Sequence, residues 1–130
     1  MIRKFSERLI YMDRRRMGQL GEKLAADYLK KNNCRILENN YRAGRLGEID
    51  LVVSDNSTIS FIEVKTRTGK KYGTPAEAVT YAKQKTIRRA AMCFLKEKGL
   101  VDSPVRFDVI EVMLAKDGNV LSISHIKNAF

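Results

Sequence analysis

Two strand-like runs separated by a short polar turn constrain this chain more than any other feature. Gly47-Glu48-Ile49-Asp50-Leu51-Val52-Val53 and Ile59-Ser60-Phe61-Ile62-Glu63-Val64-Lys65 flank Ser54-Asp55-Asn56-Ser57-Thr58. Side chains two apart on a strand share a face, so Glu63 and Lys65 project together, roughly 7 Å apart. A hairpin closed with Ser54 opposite Ile59 sets Asp50 opposite Glu63. Two carboxylates then stand side by side among apolar residues, with an ammonium next door. Like charges directly opposed across strands destabilise a sheet. A divalent cation makes the arrangement favourable, because Mg²⁺ is held by one or two carboxylates plus waters and phosphate oxygens.

The charge distribution supports that reading. The formal net charge is +10, unevenly spread: +7 over residues 1–46, −3 over 47–65, +7 over 66–99 and −1 over 100–130. Basic flanks attract phosphate backbones and gain from counterion release. An acidic island inside such a surface weakens binding unless a metal sits there. The blander reading is a charge excess that keeps the protein soluble.

A chain of 130 residues with 44% hydrophobic content forms one domain with a real core. No apolar run reaches the ~18 residues of a membrane-spanning helix, and Met1–Arg16 has no apolar stretch of a secretory signal. Cys34 and Cys93 lie far apart with a single histidine, His125, so no ordinary zinc site is available. Both cysteines read as reduced thiols in a cytoplasmic protein, and His125 as a surface or structural residue.

Along the chain, residues 1–13 read as an N-terminal extension, in which Ile2, Phe5, Leu9 and Met12 have the spacing of a short docked helix. Arg14-Arg15-Arg16 joins it to the domain, 14–130. The first firm helix is expected over about 17–32, with Met17, Leu20, Leu24, Tyr28 and Leu29 as its apolar stripe. Glu22 has Gly18, Ala25, Ala26 and Leu29 as helical neighbours, so it lies among small and apolar residues. It either reaches a cation at the hairpin or caps a basic side chain. A connector over 33–46 holds a short strand near Arg35-Ile36-Leu37 and a basic loop with Arg42 and Arg45. After the hairpin, Thr66-Arg67-Thr68-Gly69-Lys70-Lys71-Tyr72-Gly73 reads as a phosphate-contacting loop. Thr74-Pro75-Ala76-Glu77 has the form of a helix-opening capping box, and Gly99 ends the helical region. The weak helix formers Val79-Thr80-Tyr81 mark a break inside it. Strands are expected at about 105–114 and 120–126, joined at Lys116-Asp117-Gly118-Asn119 by a type I′ turn. The order of elements implies a mixed sheet packed with helices, with 59–65 and 105–114 parallel across a helical crossover.

An acid on one strand, Glu-x-Lys on the next and a Glu on the preceding helix resemble the PD-(D/E)xK nuclease superfamily. The blocks Gly18-x-x-Gly21-Glu22, Asn40-Tyr41-Arg42, Gly47-Glu48-Ile49-Asp50-Leu51, Phe61-Ile62-Glu63-Val64-Lys65-Thr66-Arg67 and Arg106-Phe107-Asp108-Val109 closely resemble the YraN family of small, endonuclease-like bacterial proteins, over about residues 14–112. Archaeal Holliday-junction resolvases are similar. The superfamily's nominal Pro-Asp is Ile49-Asp50 here.

The resemblance implies an α/β fold with a restriction-endonuclease-like core, a mixed central sheet flanked by helices on both faces. It implies Mg²⁺ or Mn²⁺ on Asp50 and Glu63, with the Val64 carbonyl as a further ligand and Glu22 completing the site. Lys65 would orient or activate the attacking water, and Gln84 could match a supporting polar residue. The expected function is metal-dependent hydrolysis of phosphodiester bonds in DNA, branched or damaged DNA included. The alternatives are a non-catalytic nucleic-acid-binding protein on a nuclease fold, and a basic RNA- or ribosome-associated protein. Arg42, Arg45, Arg67, Lys70 and Lys71 bracket the acidic hairpin and are expected to grip backbone phosphates. A two-fold symmetric target would call for a homodimer, although no sequence feature marks an interface.

Overall fold

The computed structural model describes residues 13–68 and 79–130. The docked helix expected over 1–13, the loop lysines Lys70 and Lys71 and the Thr74–Glu77 capping box fall mostly or wholly outside that range.

Helix α1 (Arg14–Lys31) opens earlier than its apolar spacing predicts, because the Asp13 carboxylate accepts the Arg16 N–H at 2.8 Å and caps the first turn. Arg14, Arg15 and Arg16 are therefore helical and not a joining segment. Next come β1 (Arg35–Arg42), β2 (Glu48–Asp55), β3 (Thr58–Thr68), α2 (Tyr81–Lys98), β4 (Val105–Leu114) and β5 (Val120–Ile126). Strand β1 extends well beyond the short segment expected. Helix α2 starts at the expected break: Thr80 is extended and its side chain accepts the Lys83 N–H, while Gly99 ends the helix at φ 66°.

The strands form one sheet in the order β1-β2-β3-β4-β5. Every pairing is antiparallel except β3–β4, which is parallel across the α2 crossover. Ser54 sits opposite Ile59, the register read from the sequence. The turn chemistry differs from expectation. Asn56 and Ser57 both have positive φ, so the two-residue turn between paired Asp55 and Thr58 is the primed type. At the β4–β5 turn only Gly118 has positive φ, and the Ala115 N–H donates to the Asn119 carbonyl across a longer loop. One left-handed residue in place of two explains why Asp117-Gly118 does not make the type I′ turn.

Alternate residues feed two cores. Ile59, Phe61, Val52 and Val109 pack with Ile87, Ala90, Phe94 and Leu95 of α2. Leu51, Val53, Ile62, Ile110, Val112 and Leu114 pack with Ala25, Ala26 and Leu29 of α1. The helices thus cover opposite faces. The fully buried side of α1 is made of Gly21, Ala25, Ala26 and Leu29, and most of the larger stripe residues sit at its margin. Small residues bring α1 close to β3. A Cβ on Gly21 would lie 1.8 Å from Thr66 Oγ1 and 2.9 Å from Thr66 Cβ.

A buried polar network lies near the C-terminal end of α1. Asp108 is wholly buried and accepts hydrogen bonds from Ser60 Oγ, Arg106 Nε, His125 Nε2 and the Asn128 N–H. Burial alone would push its carboxyl up, but these donors hold it well below the usual carboxylate range. Arg106 also bridges to Asp55 at 3.1 Å, and the Tyr28 ring meets His125 edge-on. His125 therefore has a structural place.

Candidate active site

Backbone pairing between β2 and β3 ends at Leu51 opposite Ile62. Beyond it the Val64 N–H donates to Asp50 Oδ2 at 2.8 Å, so a side chain takes the bond that the main chain would otherwise make. Strand β2 also turns over here. Ile49 packs on the α2 side with Val52, whereas Leu51 and Val53 face α1. Strict alternation would put Ile49 with Leu51. The Asp50 carboxylate is thus held at the point where the hairpin opens, next to the Glu63 carboxylate. Gly47 permits the approach to α2. Its φ is 150°, and a Cβ there would fall 2.3 Å from Thr86 Cγ2.

A cleft of about 500 Å³ forms at this end of the sheet. Glu22, Asp50, Glu63, Val64 and Lys65 line it, with Arg14 at its edge. The structure therefore brings together the residues that the sequence marked on α1, β2 and β3. Glu63 is buried and Lys65 half-buried. Burial and the adjoining Glu63 push the Asp50 carboxyl far up, against the opposing pull of the Val64 N–H. Burial, then the charges of Asp50 and Glu48, raise Glu22 to about 7. Glu22 Oε1 is buried without a hydrogen-bond partner, and among the described residues Glu22 meets no basic side chain. Of its two roles read from the sequence, the one as a cap on a basic residue is therefore unsupported.

A pair of adjoining carboxylates, one with its carboxyl pushed far up, and a buried carboxylate oxygen with no hydrogen-bond partner fit a divalent cation, which takes oxygen ligands. Asp50 and Glu63 form the pair. Among the described residues no three His, Cys, Asp or Glu side chains form a compact metal-binding group.

The remaining candidates are dispersed. Gln84 turns away, its Nε2 donating to the Val79 carbonyl at 3.1 Å. Its neighbour Lys83, which the sequence did not single out, places Nζ 3.7 Å from Glu63 Oε2. Adjacent helical residues point about 100° apart, so only one of the two can face β3. Arg67 is largely enclosed and pairs with buried Glu111 at 3.4 Å, which sets it inside the fold and not on an outer rim. Arg42, expected in a loop, ends strand β1 instead, because it pairs with Glu48 of β2; it is open to solvent and meets Glu48 at 3.3 Å, and Arg45 is exposed in the loop that follows. Lys70 and Lys71 lie outside the described residues. No described helix is long and apolar enough to cross a membrane.

A mixed sheet with one helix on each face and a carboxylate-lysine cleft at the end of its central hairpin defines the restriction-endonuclease-like class of α/β core. Within that class the chain belongs to the uncharacterised protein family UPF0102, the YraN family, whose model matches residues 21–112. The UPF0102 protein of Pelotomaculum thermopropionicum is 47% identical over 117 residues, covering 90% of this chain and 97% of that protein. That of Acetivibrio thermocellus is 47% identical over 121 residues, 91% and 93% of the two chains. That of Alkaliphilus oremlandii is 49% identical over 118 residues, 89% and 98% of the two chains.

Proposed function

We propose that this chain is a metal-dependent nuclease that hydrolyses phosphodiester bonds in DNA. One observation carries the reading: half-buried Asp50 and buried Glu63 adjoin at an opened hairpin end, with Lys65 and Glu22, whose buried Oε1 has no hydrogen-bond partner, in the same cleft. Forcing the Glu63 carboxylate against Asp50 helps raise the proton affinity of Asp50, a cost that a sheet has no structural reason to accept.

Asp50 and Glu63 would hold Mg²⁺ or Mn²⁺, with the Val64 carbonyl and Glu22 completing the set. The bound ion would supply a positive clamp on a nonbridging phosphate oxygen. Lys65 holds a water in line with the scissile bond and stabilises the developing charge. The water oxygen forms the new P–O bond, its proton passes to a carboxylate or to solvent, and the ester oxygen leaves. The net charge of +10 favours a polyanionic substrate.

The test is a cleavage screen of duplex, single-stranded, flapped and four-way-junction DNA with Mg²⁺ or Mn²⁺. Cleavage of any of these that is lost in Asp50→Asn and Lys65→Ala supports the reading. Tight DNA binding without cleavage of any substrate would leave a non-catalytic binding protein on a nuclease fold.

A further inference from the structure

We infer that Lys83 is an exchangeable cation of this site: it neutralises Glu63 while no metal is bound, and moves to a phosphate oxygen of the nucleic acid once a divalent cation takes Glu63. The inference rests on the metal-site reading above and adds to the metal's own clamp on phosphate a second coupling, through Lys83.

The position of Lys83 is fixed at its backbone and loose at its tip. Its N–H donates to Thr80 Oγ1 at 3.2 Å, which ties it into the first turn of α2. Its Nζ lies 3.7 Å from Glu63 Oε2, yet the lysine side chain is 42% exposed and the glutamate side chain only 9%. The carboxylate cannot follow the ammonium outward, whereas the ammonium can leave. Such a half-exposed pair is held weakly, so a stronger cation displaces it readily. Lys83 is not part of the cleft lining, which includes Lys65, so it reaches Glu63 from the α2 side.

A divalent ion ligated by Glu63 would repel an ammonium this close. The side chain then swings toward solvent, where the phosphates of a bound strand would lie. Metal and nucleic acid bind with positive coupling, each improving the other's affinity by the same factor. A lysine that only pinned α2 to β3 would produce no such coupling.

Calorimetric titration with Mn²⁺ tests this on wild type, Lys83→Met and Lys83→Gln. Lys85→Met serves as a control that removes the same charge from the same helix. Both Lys83 variants should bind Mn²⁺ about two- to five-fold more tightly than wild type, and Lys85→Met should not differ from it. In a second arm, anisotropy of labelled duplex DNA is measured with and without Ca²⁺. Wild type should gain affinity on adding Ca²⁺, and the Lys83 variants should lose part of that gain, keeping what the ion contributes directly. Thermal melts confirm that the variants fold. If wild type binds no Mn²⁺, the metal-site reading falls and takes this inference with it. If wild type binds but the Lys83 variants match it, bind more weakly, or behave like Lys85→Met, the inference alone is overturned. So is it if Lys83→Met keeps the full Ca²⁺-dependent gain in DNA affinity.

Discussion

Asp50 has one ordinary hydrogen bond, from the Val64 N–H, and one abnormal neighbour, the Glu63 carboxyl. Its raised proton affinity, with that of Glu22, has a measurable sign. A carboxyl whose folded pKa lies above its unfolded value contributes stability at low pH and loses it as pH rises through the folded value. For Glu22 that window runs from its ordinary value of 4.5 to about 7, and the shift at Asp50 acts in the same direction. The metal-free protein should therefore melt at progressively lower temperature between about pH 5 and 8. Asp50→Asn, which carries no charge to desolvate, should flatten that decline and abolish Mn²⁺ binding. Melting curves across this range decide the matter, and a wild-type midpoint independent of pH would contradict the account. Asp108 has the opposite sign. Its depressed carboxyl stabilises the fold at neutral pH and surrenders that contribution only in strong acid.

Helix α1 reaches the cleft only because Gly21 lets it lie against Thr66. Gly21→Ala gains up to about 1 kcal/mol of helix propensity. The clash should win, because Thr66 Cβ, 2.9 Å from the new methyl, is fixed to the strand and cannot rotate away as Oγ1 can. A net loss of about 1–3 kcal/mol in denaturant unfolding is expected, and Thr66→Ala in the same chain should return part of it. This contact also marks the limit of what the sequence disclosed. Strand periodicity and the short turn fixed the register of β2 and β3, and hence the opposition of Asp50 and Glu63, because a hairpin is a local object. Burial around Glu22 was legible for a similar reason, since its helical neighbours are small. The partners of Arg67 and Glu63 were not legible. Arg67 meets Glu111 from a strand beyond the crossover, and Glu63 meets Lys83 and not Gln84 through the rotational phase of α2. Neither distance is written in local spacing. The two turns were exchanged because dipeptide preference favours Asp-Gly, whereas Asn56 and Ser57 adopt the left-handed conformation with no glycine.

Across the whole molecule, basic residues divide into those the fold uses and those it leaves to solvent. Arg67 and Arg106 have enclosed carboxylate partners, whereas Arg42 and Arg45 stand at the surface. DNA affinity should fall with salt at a log–log slope near −0.9 for each phosphate contacted. Arg42→Ala with Arg45→Ala should lower that slope by up to about two, while Arg67→Ala should chiefly destabilise the protein. Anisotropy titrations at several salt concentrations separate the two classes, and a flat salt response would count against nucleic acid as the partner. Asp108→Ala should cost about 3–5 kcal/mol by stranding its buried partners, with metal affinity unchanged while the protein remains folded. The donors that satisfy Asp108 gather beside the C-terminal half of α1, and the carboxylates short of donors gather beside its N-terminal half. A lineage could therefore erase or replace the carboxylate end without endangering the shape. Descendants that keep the Asp108 lattice but have lost Asp50 or Lys65 should still fold, free to be recruited as grips, clamps or scaffolds.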